Sequence, residues 1–170
     1  NSPKKNWLRD DDPYFPCTAF GDKYQRGCWL NQAARIFQMY QGDIKKTAQA
    51  CESIGNNLYV EWCFDNLARQ LHPLAENNLD RVFEMCAQLE DKWREGCIIV
   101  NAGAYYSVGG RQEGITICKR LTDGAKSFCY ERIIGQIMND TITGDIKKEM
   151  CNLLETPFSA RCTSILGQVI

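Results

Sequence analysis

The chain has 170 residues, with 20 Lys or Arg and 21 Asp or Glu side chains, so its formal net charge is −1. This balance leaves no excess of positive charge, and the composition therefore predicts binding neither to nucleic acid nor to an anionic membrane. No run approaches the roughly 18 apolar residues of a membrane-spanning helix, so no membrane span is expected. The length suits one domain with its own core.

The first 16 residues precede any helical pattern. They are mostly polar and contain three prolines, so we expect an extended N-terminal segment over residues 1–16. The rest of the chain carries one repeating pattern, which predicts a single repeat domain over residues 17–170.

Helix boundaries follow from residues that stop or start helices. The first helix is expected over residues 22–41, because Gly42 interrupts the pattern and Asp43 is a suitable N-cap for the next helix. That second helix ends at Gly55, and the asparagine pair 56–57 begins a third. Strand-like alternation is scarce, so the chain is predicted to be all-α. Further breaks are expected at 72–73, 107–112, 141–145 and 156–157.

The chain contains ten cysteines, an unusually high number for its length, and they fall at regular positions. The two cysteines of a pair are 11 or 12 positions apart, and successive pairs begin 32 to 35 positions apart. This density is typical of structural disulfides in an oxidising compartment, and the lack of any C-x-x-C sequence argues against a zinc site or a redox couple. The pairs are Cys17/Cys28, Cys51/Cys63, Cys86/Cys97, Cys118/Cys129 and Cys151/Cys162.

Other positions keep the register of the cysteines. An aromatic side chain lies four residues before the second cysteine of four pairs, and a mostly small residue lies five residues after it. Offsets of four and eight place the aromatic side chain, the cysteine and a later apolar residue on one helical stripe, which predicts that the stripe packs in the core. The aromatic positions are Tyr24, Tyr59, Trp93 and Phe158, with Ala125 in the fourth unit.

A period of 32 to 35 residues with two helices in each unit is typical of an α-solenoid. Over about residues 17–170 the chain resembles the tetratricopeptide and Sel1-like repeat families, through its hairpin period and its large, small and aromatic positions. The stretches "YQRGC" and "WREGC" resemble the aromatic-x-x-Gly element of Sel1-like units. The resemblance implies four to five helical hairpins with one disulfide per repeat.

Two periodic disulfide schemes are compatible with these positions. Each cysteine pair could close on itself, which joins the second helix of one hairpin to the first helix of the next. Alternatively, the bonds could lie within hairpins and leave the first and last cysteines unpaired. Antiparallel helices allow the Cα distances that both schemes need. We favour the first scheme because it uses all ten cysteines. The second would bond Cys28 to Cys51, Cys63 to Cys86, Cys97 to Cys118 and Cys129 to Cys151, without Cys17 and Cys162.

No catalytic or phosphate-binding motif is present, and no enzyme activity, cofactor or metal is predicted. The single histidine, His72, precedes Pro73 in a turn between helices, where a surface position is expected. A Cys–His nucleophile would need a free thiol, which five disulfides remove.

Polar residues on successive first helices suggest a ligand surface. Asparagines lie three or four positions after the second cysteine of three units, and arginines follow about one turn later in two of them. Peptide-binding tetratricopeptide proteins use such residues to hold an extended peptide, so the resemblance implies a concave groove. Exposed helix positions also carry Asn and Arg by default, and that interpretation stays open. The candidate ligand-binding residues are Asn31, Arg35, Asn66, Arg69, Asn101 and Tyr105.

These patterns predict a secreted or periplasmic scaffold that binds a protein or peptide on its first helices. One alternative is a structural or assembly module of a larger extracellular protein, and another is an enzyme with an unrecognised active site. The last helix is apolar and is a further candidate for contact with a partner, through Ile165, Leu166, Val169 and Ile170.

Overall fold

The computed structural model describes residue 9 and residues 11–169, and within them it contains helices and no strand. The prediction of an all-α chain is confirmed for this part of the protein. Two short 3₁₀ helices cover Cys17–Ala19 and His72–Ala75. The α-helices are α1 (Asp22–Met39), α2 (Ile44–Glu52), α3 (Asn57–Leu71), α4 (Leu79–Cys86), α5 (Asp91–Ser107), α6 (Arg111–Lys119), α7 (Asp123–Asn139), α8 (Gly144–Asn152) and α9 (Phe158–Val169).

The predicted helix ends are confirmed by their capping bonds. The Asp43 carboxylate accepts a hydrogen bond from the Lys46 amide at 2.9 Å and begins α2, and the Asn56 side chain caps α3 in the same way. Gly42 and Gly55 adopt φ angles of +83° and +79°, a region in which a glycine has no steric penalty. Asn78 caps α4, a feature that the sequence pattern did not single out.

The long helices pack against one another in order: α1 on α3, α3 on α5, α5 on α7, and α7 on α9. Each short helix, α2, α4, α6 and α8, packs against the long helix before it and the long helix after it. The α5–α6 contact is close. A methyl group on Gly114 of α6 would lie 2.6 Å from the carbonyl oxygen of Ala102 on α5.

All ten cysteines form disulfides, each joining a short helix, or the first 3₁₀ helix, to the long helix that follows. The paired Cα atoms are 5.4 to 5.7 Å apart, within the range that a disulfide needs. Closing a loop of about a dozen residues stabilises the fold by about 2–3 kcal/mol through the entropy of the unfolded chain. The bonds join Cys17 to Cys28, Cys51 to Cys63, Cys86 to Cys97, Cys118 to Cys129, and Cys151 to Cys162.

Cys63 shows which of the two disulfide schemes is correct. It is fully buried on α3 and bonds to Cys51 near the end of α2, with Cα atoms 5.6 Å apart. The scheme with bonds inside each hairpin required Cys63 to bond to Cys86, and it is wrong because Cys86 bonds to Cys97 instead. The scheme in which every pair closes on itself is confirmed, including the pair with the longer spacing of 12 positions.

Aromatic stacking joins successive long helices. Tyr59 of α3 stacks on Trp29 of α1 with ring centres 5.5 Å apart, and Trp93 of α5 stacks on Phe64 of α3 at 4.1 Å. Phe158 of α9 contacts Tyr130 of α7 in the same register. Each pair joins the aromatic position before one cysteine to the residue after the preceding long-helix cysteine. Core packing is therefore confirmed for Trp93 and Phe158, whereas Tyr59 is half-buried and packs on the buried Trp29.

The first unit departs from this pattern. Tyr24 occupies the stacking position of α1, yet 61% of its surface is exposed. The described residues before α1 form turns and one 3₁₀ helix, so they offer no long helix for its ring to stack on. Its ring lies edge-on to Phe20, which is itself 42% exposed, and the Lys23 ammonium lies 5.5 Å from the ring centre.

Both ends of the described chain are packed against the helices. Residues 11–16 form turns rather than an extended segment, and the Tyr14 hydroxyl donates to the Ala50 carbonyl at 3.0 Å. At the other end, Leu166 is buried and Ile165 packs against the core. The rest of the predicted N-terminal segment, residues 1–8 and 10, lies outside the described residues, as do the Val169 side chain and Ile170.

Candidate ligand-binding cleft

The predicted asparagines do not line an open groove, because two of them bind the backbone of the preceding long helix. The Asn66 side-chain oxygen on α3 accepts a hydrogen bond from the Ala34 amide of α1 at 2.9 Å. Asn101 on α5 is fully buried, and its amide donates to the Ala68 carbonyl of α3 at 3.0 Å. Both side chains therefore bind the protein's own backbone, whereas the resemblance implies that they bind a ligand.

In α1 the equivalent polar side chains hold the N-terminal segment. Gln32 is 5% exposed and donates to the main-chain carbonyls of Pro13 and Phe15. The Arg35 guanidinium donates to the carbonyls of Arg9, Asp12 and Phe15. Arg35 is therefore occupied by the backbone of the chain itself.

The other predicted ligand residues bond within their own helices or lie in the core. The Asn31 amide donates to the Gly27 carbonyl one turn earlier, and Arg69 forms an ion pair with Asp65 at 3.2 Å. Tyr105 is 2% exposed and lies edge-on to His72, with ring centres 4.4 Å apart. Tyr105 and Asn101 thus have no surface to offer a ligand.

His72 is a half-buried neighbour of Tyr105 rather than a free loop residue. Its Nε2 atom is buried and has no hydrogen-bond partner among the described residues. Burial lowers the pKa of His72 and raises the pKa of Tyr105, so both side chains are held neutral.

A cleft lies between α5 and α7, where the start of α6 meets their C-terminal halves. Its volume is about 510 Å³, within the range of small-ligand sites. We call it the α5–α7 cleft. Its lining residues are Tyr106, Ser107, Arg111, Arg132, Gly135, Gln136, Asn139 and Asp140.

One wall of the α5–α7 cleft is an ion pair. The Nε and Nη2 atoms of Arg111 both donate to one carboxylate oxygen of Asp140 at 3.1 Å. The guanidinium carbon of Arg111 lies 5.9 Å from the centre of the Tyr106 ring. The Tyr106 hydroxyl is buried and without a partner among the described residues. Burial and the nearby Asp140 raise the pKa of Tyr106, which keeps this hydroxyl a hydrogen-bond donor.

The opposite wall holds Arg132 and Gln136 of α7. The Gln136 amide nitrogen donates to the Gly103 carbonyl at 3.1 Å and to the Ser107 hydroxyl at 3.0 Å. Arg132 lies over the same glycine, since a methyl group on Gly103 would be 3.2 Å from its Nε atom. Within the described part of the chain, Arg132 makes no ion pair. This wall therefore presents the guanidinium of Arg132, which has no ion-pair partner among the described residues. Beside it lies Gln136, whose amide already binds the Gly103 carbonyl.

The sequence register contained a signal for these two residues. Arg132 lies three positions after its long-helix cysteine, as Asn31 and Asn66 do after theirs. Gln136 lies seven positions after the same cysteine, which is the place of Arg35 in the first unit. A search for asparagine alone at these positions does not find Arg132 and Gln136 in the fourth unit.

No protein-family model matches the sequence, and comparisons with curated proteins and with solved structures find no significant similarity. The resemblance to tetratricopeptide and Sel1-like repeats therefore stays a prediction. In the part of the chain that is described, no group of three or more His, Cys, Asp or Glu side chains is placed to bind a metal. The helices described are also too short or too polar to cross a membrane.

Proposed function

We propose that the protein is an exported, disulfide-stapled α-solenoid that binds an extended segment of a partner protein or a peptide in the α5–α7 cleft. The observation that carries the proposal is Arg132, a guanidinium with no carboxylate partner among the described residues, beside the amide of Gln136. A guanidinium donates to carbonyls and carboxylates, and an extended peptide supplies a carbonyl at every residue.

The first helix gives a precedent within the same chain. Gln32 and Arg35 of α1 hold a non-helical segment through its main-chain carbonyls, at Arg9, Asp12, Pro13 and Phe15. Long-helix side chains in this register are therefore able to bind irregular backbone. In the α5–α7 cleft Gln136 occupies the position of Arg35, seven residues after the long-helix cysteine, and its amide is already bonded to Gly103 and Ser107. The donor that remains for a ligand is Arg132, which has no carboxylate partner among the described residues.

Export is supported by the five disulfides. Such bonds persist in oxidising compartments and are rare where glutathione and thioredoxin keep thiols reduced. A secreted or periplasmic location follows from this proposal. The disulfides also stabilise a fold in which each long helix packs mainly on its nearest neighbours.

The test is to pan the immobilised, oxidised protein against a displayed library of random linear peptides. We expect enrichment of peptides that bind the wild type and lose at least tenfold in affinity for an Arg132→Ala/Gln136→Ala variant. Asn31→Ala is the matched control, because Asn31 has the register of Arg132 and is exposed, but its side chain bonds within its own helix. Failure to enrich any peptide, or equal binding to the cleft variant with an unchanged circular-dichroism spectrum, would overturn the proposal.

A second candidate function, assembly with another protein, is favoured by the exposed edge of α1. Tyr24 occupies a position that is stacked in later units, yet it is 61% exposed. The apolar last helix supports assembly less, because Leu166 is already buried within the chain. Sedimentation would separate the two functions: an oligomer that Tyr24→Ser dissociates favours assembly, and a wild-type monomer argues against self-association.

A further inference from the structure

A second depression lies on the neighbouring pair of long helices, between α3 and α5. Its volume is about 120 Å³, and we call it the α3–α5 slot. Its walls are apolar, since the stacked rings of Phe64 and Trp93 and the side chain of Val100 line it. The lining residues are Glu61, Phe64, Asp65, Trp93, Gly96, Cys97 and Val100.

The rim of the α3–α5 slot is acidic. Glu61 is exposed and forms no ion pair among the described residues, whereas Asp65 pairs with Arg69 of its own helix. A small apolar slot with carboxylates at its mouth suits a lysine or arginine side chain. The aliphatic stem of such a residue packs on apolar walls while its charged head stays at the rim.

The slot and the α5–α7 cleft are connected along one face of α5. Gly96, Val100, Gly103 and Ser107 are spaced by four, three and four positions, which places them on a single helical stripe. Gly96 and Val100 line the slot, and Ser107 lines the cleft. Arg132 lies over Gly103, between these two sets of residues. One extended segment that crosses α5 therefore reaches both depressions.

The spacing along α5 sets the length of that segment. Gly96 and Gly103 are seven residues apart, which corresponds to about 10 Å at a helical rise of 1.5 Å per residue. An extended chain advances about 3.3 Å per residue, so roughly three residues cover the axial distance, and the oblique crossing adds one or two.

We propose that the bound segment carries a basic side chain for the α3–α5 slot and an acidic side chain for Arg132, about three to five residues apart. The inference rests on the proposed function, and it adds the charges of the ligand and their spacing. The two sites have opposite sign, because Glu61 borders one and Arg132 borders the other, and neither forms an ion pair among the described residues. The other charges at the two sites are paired: Asp65 with Arg69, and Asp140 with Arg111. Such complementarity fixes the register of a bound chain and rejects segments with only one sign of charge.

The test uses the displayed library described above, whose peptides are fused at their C-termini, so that any acidic group is a side chain. We expect enriched sequences to pair Lys or Arg with Asp or Glu at a separation of three to five residues. When the library is panned on Glu61→Gln, the enriched peptides are expected to lose the preference for the basic residue and keep that for the acidic one. When it is panned on Arg132→Gln, they are expected to lose only the preference for the acidic residue. Glu84→Gln on α4 and Lys119→Gln on α6 are the charge-matched controls, since both residues are exposed away from these sites.

One enriched peptide then gives the affinities. Replacing its basic residue by Gln is expected to weaken binding to the wild type about threefold to fivefold, the usual effect of one exposed charge pair, and to leave binding to Glu61→Gln unchanged. Enriched peptides with no paired charges, or with equal losses on both proteins, would overturn the charge assignment. A failure to enrich any peptide would instead overturn the proposed function, so the two failures are distinguishable.

Discussion

Gly114 tests the packing of α5 on α6 most sharply. A methyl group added there would lie 2.6 Å from the Ala102 carbonyl oxygen, and 3.1 Å from the amide nitrogen and Cβ of Tyr106. Ordinary contacts with a methyl group begin near 3.4 Å. Since the obstacle is backbone, it cannot be relieved by a rotamer change. The two helices must separate by about 0.8 Å to accept an alanine.

The magnitude follows from two opposing effects. Overpacking of a well-packed contact costs about 1–3 kcal/mol, and a backbone clash belongs at the upper end of this range. Replacing glycine by alanine within a helix returns about 1 kcal/mol. We therefore expect Gly114→Ala to lower the free energy of unfolding by about 1–2 kcal/mol.

The control is Gly27→Ala in α1, where the added methyl group meets no atom within 4 Å. This variant should gain about 0.5–1 kcal/mol from helix propensity alone. The assay is urea unfolding of the oxidised proteins, followed by far-ultraviolet circular dichroism. The two variants are expected to shift the midpoint in opposite directions. If Gly114→Ala proved as stable as Gly27→Ala, the close α5–α6 contact would be refuted.

Three further substitutions probe other contacts. Burial holds the pKa of His72 below its unfolded value of about 6.5, so the unfolded chain takes up the proton first as the pH falls. The free energy of unfolding should therefore decrease from about pH 7 to pH 5, and His72→Phe should reduce this slope in urea titrations at each pH. Asn101→Ala removes a buried bond to the Ala68 carbonyl and should cost about 1–3 kcal/mol by urea unfolding, whereas loss below about 0.5 kcal/mol would contradict its role. Gly103→Ala should displace Arg132 and weaken binding of an enriched peptide by at least threefold with little change in stability; unchanged affinity would argue against the cleft.

The helices and disulfides could be predicted from the sequence because their signals are local. Asp43 and Asn56 cap the helices that follow them through bonds to amides two or three residues away. The period of the cysteines indicates which short helix lies beside which long helix. Of the two periodic disulfide schemes, only one pairs all ten cysteines. Solenoid architecture and membership of a repeat family stay predictions, since they concern the arrangement of all the helices rather than local contacts.

The candidate site could be predicted only in part. The sequence placed it on the long helices, but the rotation of each helix decides whether an asparagine faces solvent or the preceding backbone. The cysteine register does not fix that rotation to the required precision. Arg35 was misleading for another reason: its partners are main-chain carbonyls of residues 9–15, which have no periodic signature. Tyr24 illustrates the same limit, because its exposure depends on which element packs against that face of α1.

The disulfide connectivity joins each short helix to the next long helix and so sets α3, α5 and α7 side by side. Tryptic mapping of the non-reduced protein by mass spectrometry tests it directly. Cys51 and Cys63 have no Lys or Arg between them, so peptide 47–69 should appear two hydrogens lighter than its reduced form and joined to nothing. Peptide 27–35, which contains Cys28, should be joined to peptide 10–23, which contains Cys17. A linkage of peptide 27–35 to peptide 47–69 would show bonding within hairpins and would contradict this connectivity.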